Sequence, residues 1–357
     1  MKVIYLTLSF LLLLPLNFLA KDNHSKTIEE VDSLLELSKN SRFNVDIESA
    51  VEYAYQALSL SDEIGYSRGK ARSYLNLGQT LFNLGSYKKS LEYLSLVEKE
   101  PYSYGDPVML FEVSRVRGQI YSYLNLNRQS ISEFQKCLVL AHDIKPKVDS
   151  DYCLSLTYEN LYIVYDNVDK ADSVVYFMNK NRELLESMDE SFAYRNMVNL
   201  YTSYGNLYSM NGDFDLAKEY FDKALNLTEK HQYPYKSRTY IFLGDMEVEK
   251  ENYDSALVFY KKALANLEVT KIKGEYGLVY GQIAELFRQT GDIDSARIYS
   301  EKQNLIEREL SSERKNSAEH VLQIFIDEEK KNSAKKRNTE LTIISISSLV
   351  LIVLIIV

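Results

Sequence analysis

Large and small residues recur along this chain at fixed spacings. In the passage YTSYGNLYSMNGDFDLAKEYFDKALNL, large residues stand at Tyr201, Tyr204, Tyr208, Phe214 and Phe221. Small ones stand at Gly205, Ala217 and Ala224, with Gly212 in the middle. Apolar positions three and four apart on either side of a glycine predict two amphipathic helices joined by a short turn. Clear copies follow the same order at Tyr74, Leu77, Gly78, Leu81, Gly85, Tyr87, Ser90 and Leu94, and at Tyr240, Leu243, Gly244, Tyr253, Ala256, Tyr260 and Ala263. A third clear copy has Tyr280, Ile283, Ala284, Phe287, Gly291, Ile293 and Ala296. Weaker copies centre on Gly118 (with Tyr121, Ser130, Phe134 and Cys137) and on Tyr162 (with Tyr165 and Val174). A first, partial copy has Leu34, Leu37, Ile47, Ala50 and Ala57, with Ala54 where the others carry a large residue.

Aligning one small position across the copies gives Ser38, Gly78, Gly118, Tyr162, Gly205, Gly244 and Ala284, spaced by 40, 40, 44, 43, 39 and 40 residues. A hairpin of two amphipathic helices cannot bury its apolar face alone, so seven copies in register predict stacked hairpins with a continuous core. Pro101, Pro107, Pro146 and Pro234 fall between copies, where helices should end.

Outside the repeats the pattern changes three times. The N-terminus has Lys2, an apolar run from Val3 to about Leu19 and Ala20 before the polar Lys21, the layout of a secretory signal peptide over 1–20. Phe18 departs from the small residue preferred near a cleavage site, and the alternative is an uncleaved anchor. With no Cys near Ala20, a lipid-anchored cysteine is excluded. From Glu301 to Glu340 the chain carries nine acidic and nine basic residues and neither Pro nor Gly, which predicts a charged helical stalk over 306–340. Ile306, Leu310, Val321 and Ile324 are spaced as in heptads, interrupted by Glu313 and Ser317. The cluster Val321, Leu322, Ile324, Phe325 and Ile326 is apolar nearly all round and should pack on the last repeats or on a second stalk. Residues 341–357 include 13 apolar residues of 17 and no charge, which predicts one transmembrane helix. Lys335, Lys336 and Arg337 lie on the exported side of it, opposite to the usual bias, which leads us to expect a cytoplasmic continuation after Val357.

Composition narrows the function classes. Only 13 Gly and 5 Pro in 357 residues favour long helices, and 29 Tyr with no Trp are accounted for mainly by packing positions. A net charge of -9 disfavours DNA phosphates as a partner. Two cysteines exclude a disulfide-dense scaffold; Cys137 and Cys153 can pair in an oxidising compartment, but two buried thiols are the simpler reading. Four scattered His, no glycine-rich phosphate loop and no nucleophile elbow leave an enzyme without support, and no cofactor or metal is expected. Asp213 and Asp215 flank a turn, as turn and helix-start chemistry requires.

The repeated pattern resembles the tetratricopeptide repeat over about Thr27 to Leu305, with a period longer than the usual 34 residues. The resemblance implies an all-α solenoid of about seven helix-turn-helix repeats (27–305), followed by the charged stalk and the membrane helix. It also implies a concave groove lined by the first helix of each repeat. Carried onto this chain, the groove positions are Arg72, Gln79, Arg115, Gln119, Ile163, Asn206, Arg238, Asp245, Glu285 and Arg288. Amides and Arg suit an extended peptide's backbone and carboxylates, whereas Asp245 and Glu285 favour a basic group. Glu285 and Arg288, three apart on one helix, can also pair with each other. Thr202 stands where the family's carboxylate clamp needs a Lys, which argues against that clamp. The order of segments resembles membrane-bound regulators of Bacteroidetes-type bacteria. That resemblance implies an inner-membrane, single-pass protein with its repeats in the periplasm. It would act as the sensory half of a signalling or transcription-regulatory protein, bind a protein or peptide partner, contact no nucleic acid through this segment and form a homodimer through the stalk. The alternative is an envelope scaffold without signalling output.

Overall fold

The computed structural model describes residues 27–356, so the expected signal peptide at 1–20 lies outside the described residues. Within them the chain is all-α, with no strand. The helices are α1 (27–43), α2 (Ile47–Ile64), α3 (Ser67–Asn83), α4 (Tyr87–Val97), α5 (Pro107–Tyr123), α6 (Asn127–Asp143) and α7 (Lys147–Asp166). They continue as α8 (Ala171–Ser187), α9 (Glu190–Met210), α10 (Phe214–Lys230), α11 (Ser237–Glu249), α12 (Tyr253–Thr270), α13 (Tyr276–Thr290) and α14 (Ile293–Ile356). The chain divides into two compact units, one formed by the N-terminal part up to Gly85 with the segment from Glu313 onward, the other by Ser86–Ser312.

The seven-copy register reappears in the backbone. The turn inside each hairpin holds one left-handed residue: Val45 (φ 62°), Gly85 (83°), Asn125 (57°), Asp169 (54°), Gly212 (82°), Glu251 (59°) and Gly291 (81°). Each lies seven residues after the aligned small position, so their spacing repeats 40, 40, 44, 43, 39 and 40. Three are glycines, which adopt this conformation without a Cβ clash. Four are not, and that is why the weaker copies lacked a turn signal.

In the unit Ser86–Ser312, α5 pairs with α6, α7 with α8, α9 with α10 and α11 with α12. The small position is where the two helices of a hairpin come closest. A Cβ on Gly118 would sit 2.7 Å from the Phe134 ring, on Gly205 2.5 Å from Phe221, and on Gly244 2.4 Å from Tyr260. Each ring stands sixteen residues downstream and is almost wholly buried. The fourth repeat inverts the sizes: Tyr162 takes the glycine's place, the facing position is Met178, and both lie in one apolar cluster. Flexible Met accommodates the displaced volume. Cys137 and Cys153 share another cluster and are free thiols, as the simpler reading expected. Burial pushes the Cys153 thiol up to about 12 and the Cys137 thiol higher still. The last hairpin pairs α13 with the start of α14 through Phe287 and Tyr280 on Tyr299.

In the other unit, Val31 and Leu35 of α1 pack with Ala57 of α2, and Ser38 Oγ donates to the Ala50 carbonyl at 2.8 Å. Here the Val321–Ile326 cluster takes a seat within its own unit that the sequence reading did not name: it lies on α2. Val321 is buried, and Phe325 sets its ring against Tyr55 edge-on at 5.5 Å. His320 Nδ1 comes within 3.7 Å of Glu48 Oε2. Glu48, Glu52 and Tyr55 form one stripe of α2, and Lys331 feels the Glu52 charge further along. The apolar cluster therefore covers an outward face of α2 in the first hairpin.

The expected junction near residue 305 falls inside α14, which runs unbroken from Ile293. The expected membrane helix at 341–357 is not met by the described residues, of which no helix is long and apolar enough to cross a membrane. The side chains from 349 to 357 lie outside them.

Candidate functional site

In Ser86–Ser312 the first helices of successive hairpins lie side by side, α5 on α7, α7 on α9 and α9 on α11. Side chains one repeat apart therefore meet across them. Gln119 Nε2 donates to Asn160 Oδ1 at 3.4 Å, and Asn196 Nδ2 donates to Ser155 Oγ at 2.9 Å. The Tyr162 and Ser203 hydroxyls bond at 3.2 Å, and those of Thr202 and Thr239 at 2.8 Å. Gln282 Nε2 donates to Asp245 Oδ1 at 3.0 Å. The partners are 37 to 41 residues apart, one period of the sequence repeat. This row satisfies side chains that would otherwise be stranded between helices.

The sequence-predicted residues fall into three groups. Arg115, Gln119, Asn206, Arg238 and Asp245 are distributed along this row. Arg115 is held by Glu112 through two bonds of 2.6 and 3.2 Å and also donates to Gln119 at 3.3 Å. Burial works against its charge, but the adjacent Glu112 carboxylate outweighs that and raises its pKa. Asp245 accepts from Tyr260 (2.7 Å) and Gln282, and burial raises its carboxyl pKa against those bonds. Both bonds engage it within the chain. Asn206 reaches only Met210 Sδ, at 3.6 Å. Arg238 is exposed and makes no ion pair within 4.0 Å among the described residues. Glu285 and Arg288 form the second group: they pair at 2.8 Å, and Arg288 also reaches Ser300 Oγ. Arg72 and Gln79 belong to the other unit, where Arg72 pairs with Asp32 at 2.9 Å and Gln79 is buried. Ile163 is partly exposed on α7.

Three residues that matter were missed. Glu159 of α7 has no hydrogen bond or ion pair among the described residues; burial pushes its pKa up, and Arg238 pulls it down. Tyr152 and Arg195 stand on the second turns of α7 and α9, helices of 20 and 21 residues. An added N-terminal turn on each helix accounts for the 44- and 43-residue spacings, and a longer first helix was the available signal. Among the described residues no group of three or more His, Cys, Asp or Glu is placed to hold a metal ion.

Paired helices stacked with a polar row along the first helix of each pair define a helical-repeat scaffold. Two family models, both described as tetratricopeptide repeat, match residues 71–99 and 196–268, so the chain contains tetratricopeptide repeats. It is similar in fold to the apo form of RapI, at 15% identity and a TM-score of 0.61, covering 79% of this chain and 99% of that one. It is also similar to NprR in complex with its cognate peptide NprX (17%, TM-score 0.52, 83% and 82%). A third likeness is to aspartyl phosphate phosphatase F from Bacillus subtilis (16%, TM-score 0.50, 83% and 82%). No curated protein sequence matches the chain.

Proposed function

We propose that this chain binds an extended segment of a protein or peptide partner along the first helices of α5, α7, α9 and α11, without catalysing a reaction. The observation that carries the reading is the row of polar groups matched one repeat apart, in which Glu159 on α7 and Arg238 on α11 are left without a hydrogen bond or ion pair among the described residues. Opposite charges left open beside a satisfied row suit a backbone or a charged side chain laid across them. A fold neighbour, NprR, is known in complex with a peptide, which makes such an occupant reasonable for the architecture.

In our reading the protein is exported and attached to the bacterial inner membrane, with its repeats in the periplasm, and serves as the sensory part of a signalling protein. The apolar runs at 3–19 and 341–357 support that placement. Homodimerisation through the stalk has less support, because Val321 and Phe325 are occupied by α2 within the chain. The experiment is affinity capture with the full chain from envelope extracts, compared with a Glu159→Gln, Arg238→Ala variant. We expect captured partners to be lost from the variant. Equal capture by both proteins would refute the groove.

A further inference from the structure

The N-terminal ends of α7 and α9 and the loop before α9 line a cleft of about 370 Å³, with Asp149, Tyr152, Met188, Phe192, Tyr194 and Arg195 around it. Phe192 is 62% exposed and Tyr152 48%, although both are large and one is fully apolar. Arg195 is exposed and meets no carboxylate within 4.0 Å among the described residues. Its Nε donates to the Tyr194 hydroxyl at 3.0 Å, and its guanidinium lies over the Tyr194 and Tyr233 rings at 5.6 and 5.9 Å. Tyr194 is in turn stacked on His231 at 4.2 Å, and His231 is hydrogen-bonded to Glu190. The guanidinium is thus fixed by rings, which leaves its two terminal nitrogens to donate elsewhere. Three other arginines of this unit are paired with acids: Arg115 with Glu112, Arg117 with Glu98 and Arg288 with Glu285.

We infer that this cleft is a specificity pocket for an acidic side chain next to a bulky apolar one, within a peptide that runs through the groove. The inference rests on the peptide-binding reading above. Arg195 supplies a planar fork for the carboxylate, and Phe192, Met188 and Tyr152 supply the apolar wall beside it. An internal acidic residue is chosen over a chain end because the polar face continues past the cleft. On the α5 side the polar row goes on with Arg115 and Gln119, which bond to each other at 3.3 Å. Asp149 at the rim disfavours a second acid at that side.

The test uses the purified full chain in mild detergent and an array of twelve-residue Ser/Ala peptides. Their centres carry Phe-Glu, Phe-Gln, Ala-Glu, or Phe-Glu as a free C-terminus. We expect the internal Phe-Glu peptide to bind at least fivefold more tightly than the other three. Arg195→Gln should abolish the Glu/Gln preference, and Phe192→Ser the Phe/Ala preference, with helical circular dichroism unchanged because both side chains are exposed. Equal binding of Glu and Gln peptides, a preference that survives Arg195→Gln, or a preference for the free C-terminus would overturn the pocket while leaving the groove standing. Absence of binding to every peptide would overturn pocket and groove together.

Discussion

The fourth and fifth repeats solve the same packing problem in opposite ways. In the fifth, Gly205 on α9 yields its space to Phe221 on α10. In the fourth, Tyr162 on α7 carries the volume, and Met178 on α8 takes the place of the ring. The bulky ring moves from the second helix to the first, so the rule concerns filled space and not residue identity. The reversal has a chemical consequence. A ring on the second helix stays inside the hairpin, whereas a tyrosine on the first helix carries its hydroxyl out to Ser203 on the next repeat. It also lies beside Glu159, whose charge helps to raise the Tyr162 pKa. The repeat that breaks the pattern is the one that shapes the candidate site, as expected where local rules yield to function.

The largest test of this comparison is Tyr162→Ala, which removes a buried ring and should cost about 3–5 kcal/mol in denaturant unfolding. Tyr162→Gly combined with Met178→Phe would rebuild the ordinary arrangement. It should recover stability well beyond the sum of the two single changes, because the residues share one cluster. Strict additivity would show that volume is not exchanged between them.

The converse change is Gly205→Ala. Its methyl would lie 2.5 Å from the Phe221 ring, which is fully buried and has nowhere to move, so a loss of about 1–3 kcal/mol is expected. A melting temperature equal to that of the unaltered chain would mean that the two helices separate at little cost, and the close approach would lose its meaning as the source of the small-residue rule.

The left-handed turn positions give a smaller contrast. Val45 is β-branched at φ 62°, where such residues are outliers, while Gly212 holds the equivalent place in the fifth repeat at φ 82°. Relief of the strain outweighs the added freedom of glycine in the unfolded chain, so Val45→Gly should stabilise the protein by about 0.5–1 kcal/mol. Asn125→Gly should change little, since Asn tolerates this conformation. A destabilised Val45→Gly protein would indicate that the exposed valine side chain makes up for its backbone.

These contrasts mark how far the fold was legible in the sequence. The register was readable because Gly78, Gly118, Gly205 and Gly244 report steric necessity directly. The same register put Arg115 and Gln119 on one face of α5, where they bond to each other. Their internal partners were not readable, since Glu112 and Asn160 are apposed only once helices one period apart are stacked. Arg195 and Tyr152 escaped because they lie ten residues before the aligned small position, ahead of the groove positions that the repeat pattern names. The seat of Val321 and Phe325 on α2 escaped for a different reason: the pairing joins segments some 270 residues apart, and apolar periodicity states that a face must be covered without stating by what.

The smallest effect concerns the sixth repeat, where Tyr260 faces Gly244 and its hydroxyl donates to Asp245. Here a tyrosine on the second helix reaches the groove face only by meeting a carboxylate. Burial holds the Asp245 pKa above its ordinary 3.8. The native state therefore takes up this proton more readily than the unfolded chain does. The associated stability is fully present below pH 3.8 and is lost as pH rises through the native value. At neutral pH the protein carries the cost of the ionised group. Asp245→Asn keeps an oxygen that can accept from both Tyr260 and Gln282 while removing the charge. The variant should unfold at slightly higher denaturant than the parent at pH 7, and the gap should close as the pH is lowered past 3.8. If the variant is instead less stable at pH 7, the two hydrogen bonds to the carboxylate outweigh its desolvation. Asp245 would then resemble a paired groove acid more than the open Glu159 of the fourth repeat.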